Sequence, residues 1–172
     1  QSYMEKINSA QLPGILKDKD AKWKEGLKVL NASAENYYNI AKGNDDQAML
    51  DAAEKLHADY EMMVRTLKPV SKEVDSYHKD LYVIFHKFYP AKDYNAIAGI
   101  IDNMIIKAEA CTNAKLPKRL ENKMEDYQKT VKELVEKTTA LKEALKTNDG
   151  AVIDKAVDVM HSKYQDLEKL FD

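Results

Sequence analysis

Four imidazoles and their neighbouring carboxylates are the side chains of this chain best suited to hold an ion or move a proton: His57, His78, His86 and His161. Two of them stand in matching surroundings, Glu54-Lys-Leu-His57 and Asp158-Val-Met-His161. A carboxylate and an imidazole at i and i+3 share one helix face, so each pair offers two metal ligands side by side. His78 and His86 bracket an aromatic-rich stretch ending in Phe88-Tyr89-Pro90. On a helix, eight residues amount to about 80° of rotation and about 12 Å of rise, so these two rings do not share one metal directly.

The acid-histidine spacing resembles the Glu-x-x-His pattern of the ferritin-like di-metal bundles, a resemblance that implies metal held between helices and further inward carboxylates from the two neighbouring helices. It covers the two short motifs. The neighbouring apolar seams carry Ala34, Tyr37, Thr138 and Leu141 at that height, while Glu35 and Glu136 lie beside the seam at unmatched positions. The second motif also has the shorter Asp158. His78 falls on an apolar seam, where a buried imidazole needs a hydrogen bond or an iron or copper ion. With Met104, Met124 or Met160 opposite, it would give His/Met haem ligation of the kind used in four-helix cytochromes. No Cys-x-x-Cys-His motif is present, so such a haem would be non-covalent. The candidate ligands are therefore His78, His86, His57, His161, Glu54 and Asp158, and the candidate cofactor is a transition metal or a haem. The plain structural reading stands beside this one. His57 and His161 sit one place past seam residues, as half-buried boundary histidines do, and Tyr60 and Tyr164 read as core or boundary aromatics. Cys111 lies on a seam among Ile and Met, which predicts an unreactive thiol.

The elements that must position these residues follow from a repeat. Residues 10–67 align with residues 114–171 without a gap at an offset of 104, and 13 of the 61 positions in the window 8–68 are identical. The apolar register is kept as well. Trp23, Leu27, Leu30, Ala34, Tyr37 and Ala41 fall on Tyr127, Val131, Leu134, Thr138, Leu141 and Leu145. Met49, Ala53, Leu56, Tyr60, Met63 and Leu67 fall on Ile153, Val157, Met160, Tyr164, Leu167 and Phe171. Spacings of four and three predict helices that present one seam to a partner, so each copy reads as an antiparallel helical hairpin.

The expected fold is all-α: six antiparallel helices from duplicated hairpins, an up-and-down arrangement like a four-helix bundle. The first helix is expected from Pro13 to Lys42, the second to Lys68, and the third from Ser71 to Tyr89 with Val74, His78, Leu81, Phe85 and Phe88 on its seam. The fourth starts after Asp93, the fifth spans about 118–146, and the sixth runs from Ala151 to Phe171. Residues 1–9 align with the end of the fourth helix and read as a helix tail. Residues 1–172 read as one helical domain in which 71–172 forms a complete four-helix set and 1–70 adds a hairpin. That hairpin must cover its apolar seam on the rest of the chain or in a homodimer.

Composition closes several routes. Basic and acidic residues number 27 and 29 and are mixed along the chain, leaving no basic stripe for nucleic acid. No apolar run approaches the roughly 20 residues of a membrane span. Gly-rich phosphate loops, nucleophile elbows and paired-cysteine zinc motifs are absent from the sequence, so an enzyme is the least supported class. The first residue is Gln, as expected of an exported chain after signal cleavage and equally of a trimmed fragment; the expectation leans to a periplasmic or secreted protein. Two readings follow: a non-catalytic bundle binding a metal or haem through histidines, or a structural module that meets a protein partner.

Overall fold

Capping side chains set most of the helix starts in the computed structural model, which describes residues 2–171. Asp45, Ser71, Asp93 and Asp149 each accept hydrogen bonds from backbone N–H groups in the first turn of the helix that follows. Such caps are worth about 0.5–2 kcal/mol each. Among the described residues there are seven α-helices, short 3-10 and π turns, and no strand. No helix among them is long and apolar enough to cross a membrane. The seventh helix is the short α1 (Ser2–Ser9), in the stretch read from sequence as a helix tail. The chain divides into two compact units, Gln1–Pro69 and Val70–Asp172.

The first unit holds α1, α2 (Asp20–Ile40) and α3 (Asp46–Leu67). Regular α-helix begins later than Pro13. A 3-10 turn over Gly14–Lys19 intervenes, opened by the Leu16 N–H bond to Pro13 at 2.8 Å. Helices α2 and α3 run antiparallel; the Ser33 hydroxyl donates to the buried Asp59 carboxylate, which also receives the Lys55 ammonium. That pairing satisfies a charge whose burial would otherwise be costly. At the open end of the hairpin, Lys19 Nζ donates to the Leu67 carbonyl at 3.3 Å, placing a cation at a helix C-terminus.

The second unit runs α4 (Lys72–Val83), a π turn (Ile84–Phe88), α5 (Tyr94–Ala110), 3-10 turns at Cys111–Asn113 and Lys118–Lys123, α6 (Met124–Leu145) and α7 (Gly150–Lys169). The turn Lys118–Lys123 lies 104 positions after Gly14–Lys19, and Lys123 Nζ donates to the Leu170 carbonyl at 2.8 Å. Consecutive helices pack on one another, and α4 meets α7 through Tyr77 and Tyr164, so the four close around one core. Its buried side chains include Ile84, Ile97, Met104, Leu134, Leu141 and Met160. The inner register of α4 is Val74, Tyr77, Leu81 and Ile84, and His78 is only partly buried. A spacing of three from Val74 wins over four because Tyr77 brings more apolar area, while its hydroxyl finds Thr138 Oγ1 at 2.8 Å. The π turn then widens the helix, with Tyr89 N–H bonding the Ile84 carbonyl at 2.8 Å.

The same seam is buried to different depths in the two hairpins. Of the twelve seam positions named above on α2 and α3, two are buried, Leu30 and Met63. Of the twelve equivalents on α6 and α7, eleven are buried, Leu145 being the exception. In the second unit α4 and α5 lie over that seam.

Candidate functional site

Aromatic packing governs three of the four histidines. His78 on α4 stacks on the buried ring of Tyr164 on α7, with centroids 5.0 Å apart and planes 21° from parallel. Tyr164 also stacks on Tyr77 at 5.9 Å. One turn on, Tyr82 meets the His86 ring at 4.5 Å, and Phe85 lies flat on His161 of α7 at 3.7 Å and 10°. The π turn carries Phe85 and His86 on adjacent faces, their rings edge to face at 5.5 Å. The result is a ladder of rings joining α4 to α7, in which each imidazole presents a face to an aromatic neighbour. Such pairs contribute about 0.5–1.5 kcal/mol beyond area burial.

Electrostatics in this cluster centre on His161. Burial lowers its pKa, the nearby His86 charge lowers it further, and Asp158 one turn away acts in the opposite direction. Asp158 is itself engaged by the Tyr89 hydroxyl; burial first, and then that bond, raise the tyrosine pKa. A base whose folded pKa is depressed takes up protons more readily when unfolded. Stability is therefore intact above the unfolded value of about 6.5 and declines as pH falls from there through the lowered folded value. Thermal melts from pH 7.5 to 5 are expected to show that decline, and His161→Gln to flatten part of it. An unchanged slope in the variant would show that another group is responsible.

The remaining candidates have other surroundings. His57 on α3 is half exposed, with Nε2 3.3 Å from Glu61 Oε1 one turn on; the expected neighbour Glu54 lies one turn before it. Met104 and Met160 are fully buried in the core, and Met124 is exposed at the start of α6. Where the sequence placed His78 inside against a methionine, the structure has Tyr77 inside and His78 on a tyrosine face. Among the described residues no group of three or more His, Cys, Asp and Glu side chains is arranged to hold a metal ion. Burial pushes the Cys111 thiol up to about 12, with the Glu73 charge adding to it, so the thiol is inert at neutral pH.

Sequence reasoning missed Phe85 as the face under His161 and Tyr82 as the neighbour of His86. The Tyr82–His86 pair had a signal in its four-residue spacing, which puts both rings on one helix side; Phe85 and His161 lie on different helices, and no local spacing announces them. Comparison of the chain with protein-family models, with curated proteins and with solved structures found no match to any of the three.

Proposed function

We propose that this is a non-catalytic helical protein that works by association, built from two copies of one helical hairpin, the first pairing with its counterpart in a second copy of the chain. The observation that carries this reading is the seam: two buried positions of twelve on α2 and α3 against eleven of twelve on α6 and α7. What covers the second seam is itself an antiparallel helix pair, α4 and α5. A cover of that shape for the first seam is available in another α2–α3 hairpin, and two-fold pairing would build a four-helix arrangement from two molecules. Surface chemistry supports the reading. Tyr38, Leu50 and Met62 are exposed at 54%, 57% and 66%, where the other hairpin has Lys142, Asp154 and Asp166, each in an ion pair. The 3-10 turns and Asp caps repeated at an offset of 104, with Lys19 and Lys123 each bonding a carbonyl at the end of its hairpin, support the duplication.

Sedimentation equilibrium tests the pairing. A dimer is expected at micromolar concentration, reduced to monomer by Ala53→Glu on the seam and weakened by Tyr38→Lys, with helix content unchanged by circular dichroism. A native chain that sediments only as monomer up to 100 μM, a ceiling of about −5.5 kcal/mol on association, sinks the proposal. Metal or haem binding through histidines, the expectation from sequence, is the second reading; its support is the mutual charge effect of His86 and His161, against the lack of any three-ligand group among the described residues. Dialysis against Zn²⁺, Cu²⁺ or haem, followed by absorbance and metal analysis, separates the two: uptake abolished by His161→Gln would favour it, and no uptake would dismiss it.

A further inference from the structure

The corner where α1 meets the start of α2 differs from its counterpart in the second hairpin in a way that leaves room for a ligand. Residues Tyr127 and Gln128 close the second corner: the Tyr127 hydroxyl donates to the Cys111 carbonyl at 2.9 Å, and Gln128 Nε2 donates to the Thr112 carbonyl at 3.0 Å. Both acceptors lie at the end of the preceding helix, and Ala114 beneath them is buried. In the first hairpin the equivalent residues are Trp23 and Lys24. Neither bond is replaced. The Trp23 indole N–H is buried and has no hydrogen-bond partner, and Lys24 turns to Asp20 at 2.6 Å on the surface. Asn8 is held instead by the side chain of Asn31, through bonds of 2.9 and 2.7 Å. Between them lies a cleft of about 700 Å³ with Leu12, Trp23 and Leu27 on its apolar side and Asn8, Lys17 and Lys24 on its polar side, within the usual 300–1,000 Å³ of a small-molecule site.

We infer that this cleft binds a small organic monoanion, a carboxylate carried on an apolar body. Leu12, Leu27 and the indole face take the body. The ammonium groups of Lys17 and Lys24 against the single Asp20 carboxylate leave one net positive charge, which suits one carboxylate and disfavours a dianion. The cleft lies at the α1 end of the hairpin and shares Trp23 and Leu27 with the seam proposed to pair between chains, so the fluorescence titrations below are run at submicromolar protein, where the chain is monomeric, and their outcome does not depend on that pairing.

Trp23 is the only tryptophan of the chain, so its emission reports directly on the cleft. Titration with phenylacetate and octanoate is expected to give a saturable change with half-saturation at or below about 1 mM, as a well-housed ligand of some ten heavy atoms permits. Phenylacetamide, the neutral isostere of phenylacetate, is expected to bind at least tenfold more weakly. Lys17→Gln, at an exposed position, is expected to weaken the carboxylates about tenfold. Trp23→Phe, followed by calorimetry because its fluorescence is gone, is expected to weaken them as well. The inference is overturned by a linear, non-saturating response to both carboxylates, by equal binding of the amide, or by native affinity in Lys17→Gln.

Discussion

Tyr164→Ala lowers the unfolding free energy of the Val70–Asp172 unit by about 3–5 kcal/mol, the range for deleting a fully buried aromatic ring. The ring is 1% exposed and stacks on Tyr77 and His78 of α4, so its loss opens a cavity where α4 and α7 meet. The neighbouring ring of Tyr77 is itself tethered by its bond to Thr138 at 2.8 Å. The matching residue in the first hairpin, Tyr60, is 51% exposed, and Tyr60→Ala should cost no more than about 0.5 kcal/mol, as surface replacements do. Urea melts followed at 222 nm, at submicromolar concentration so that association does not contribute, measure both. Equal losses in the two variants would mean that the seams are not buried as described.

Thr138→Val costs about 1–3 kcal/mol, because it removes the acceptor for a buried hydroxyl rather than merely a contact. Thr138 Oγ1 donates to the Leu134 carbonyl at 2.7 Å, so the bond to Tyr77 at 2.8 Å has the tyrosine as donor. Tyr77→Phe alone leaves Thr138 satisfied by its own helix and costs less. Combining the two replacements is expected to recover most of the loss in Thr138→Val, since an apolar pair of the same shape leaves no unmade bond. Strict additivity of the two losses would rule out this hydroxyl pair as the reason Tyr77 lies inside.

The all-helical class, the turn positions and most helix starts were legible because capping and heptad spacing are local. Asp45, Ser71, Asp93 and Asp149 announce the helices they cap, and the seam of α6 and α7 is buried in the register its spacing predicts. The histidines were harder. From Val74, steps of three and four are both compatible with a helical seam, and the larger apolar ring of Tyr77 goes inside because Thr138 on another helix supplies a partner for its hydroxyl. Nothing local announces that pairing. The burial of Trp23 without a partner was hidden for a related reason: its counterpart Tyr127 reaches the Cys111 carbonyl, while the indole N–H finds no acceptor although the preceding helix closes with the equivalent bond in both hairpins.

The wide turn at Ile84–Phe88 makes α4 a helix with two phases. Before it, Tyr77 and His78 are set against Tyr164; within it, Phe85 is set against His161. Gaining or losing a residue inside an ordinary helix rotates everything beyond by about 100°, which would carry Tyr77 or Leu81 out of the core. A π turn holds one residue more than an α turn over the same span, so loss of one residue there converts it into an ordinary α turn and leaves the register of Val74, Tyr77 and Leu81 before it in place. This five-residue stretch is thus the part of the α4 segment where the chain tolerates losing a residue with the least disturbance to its core.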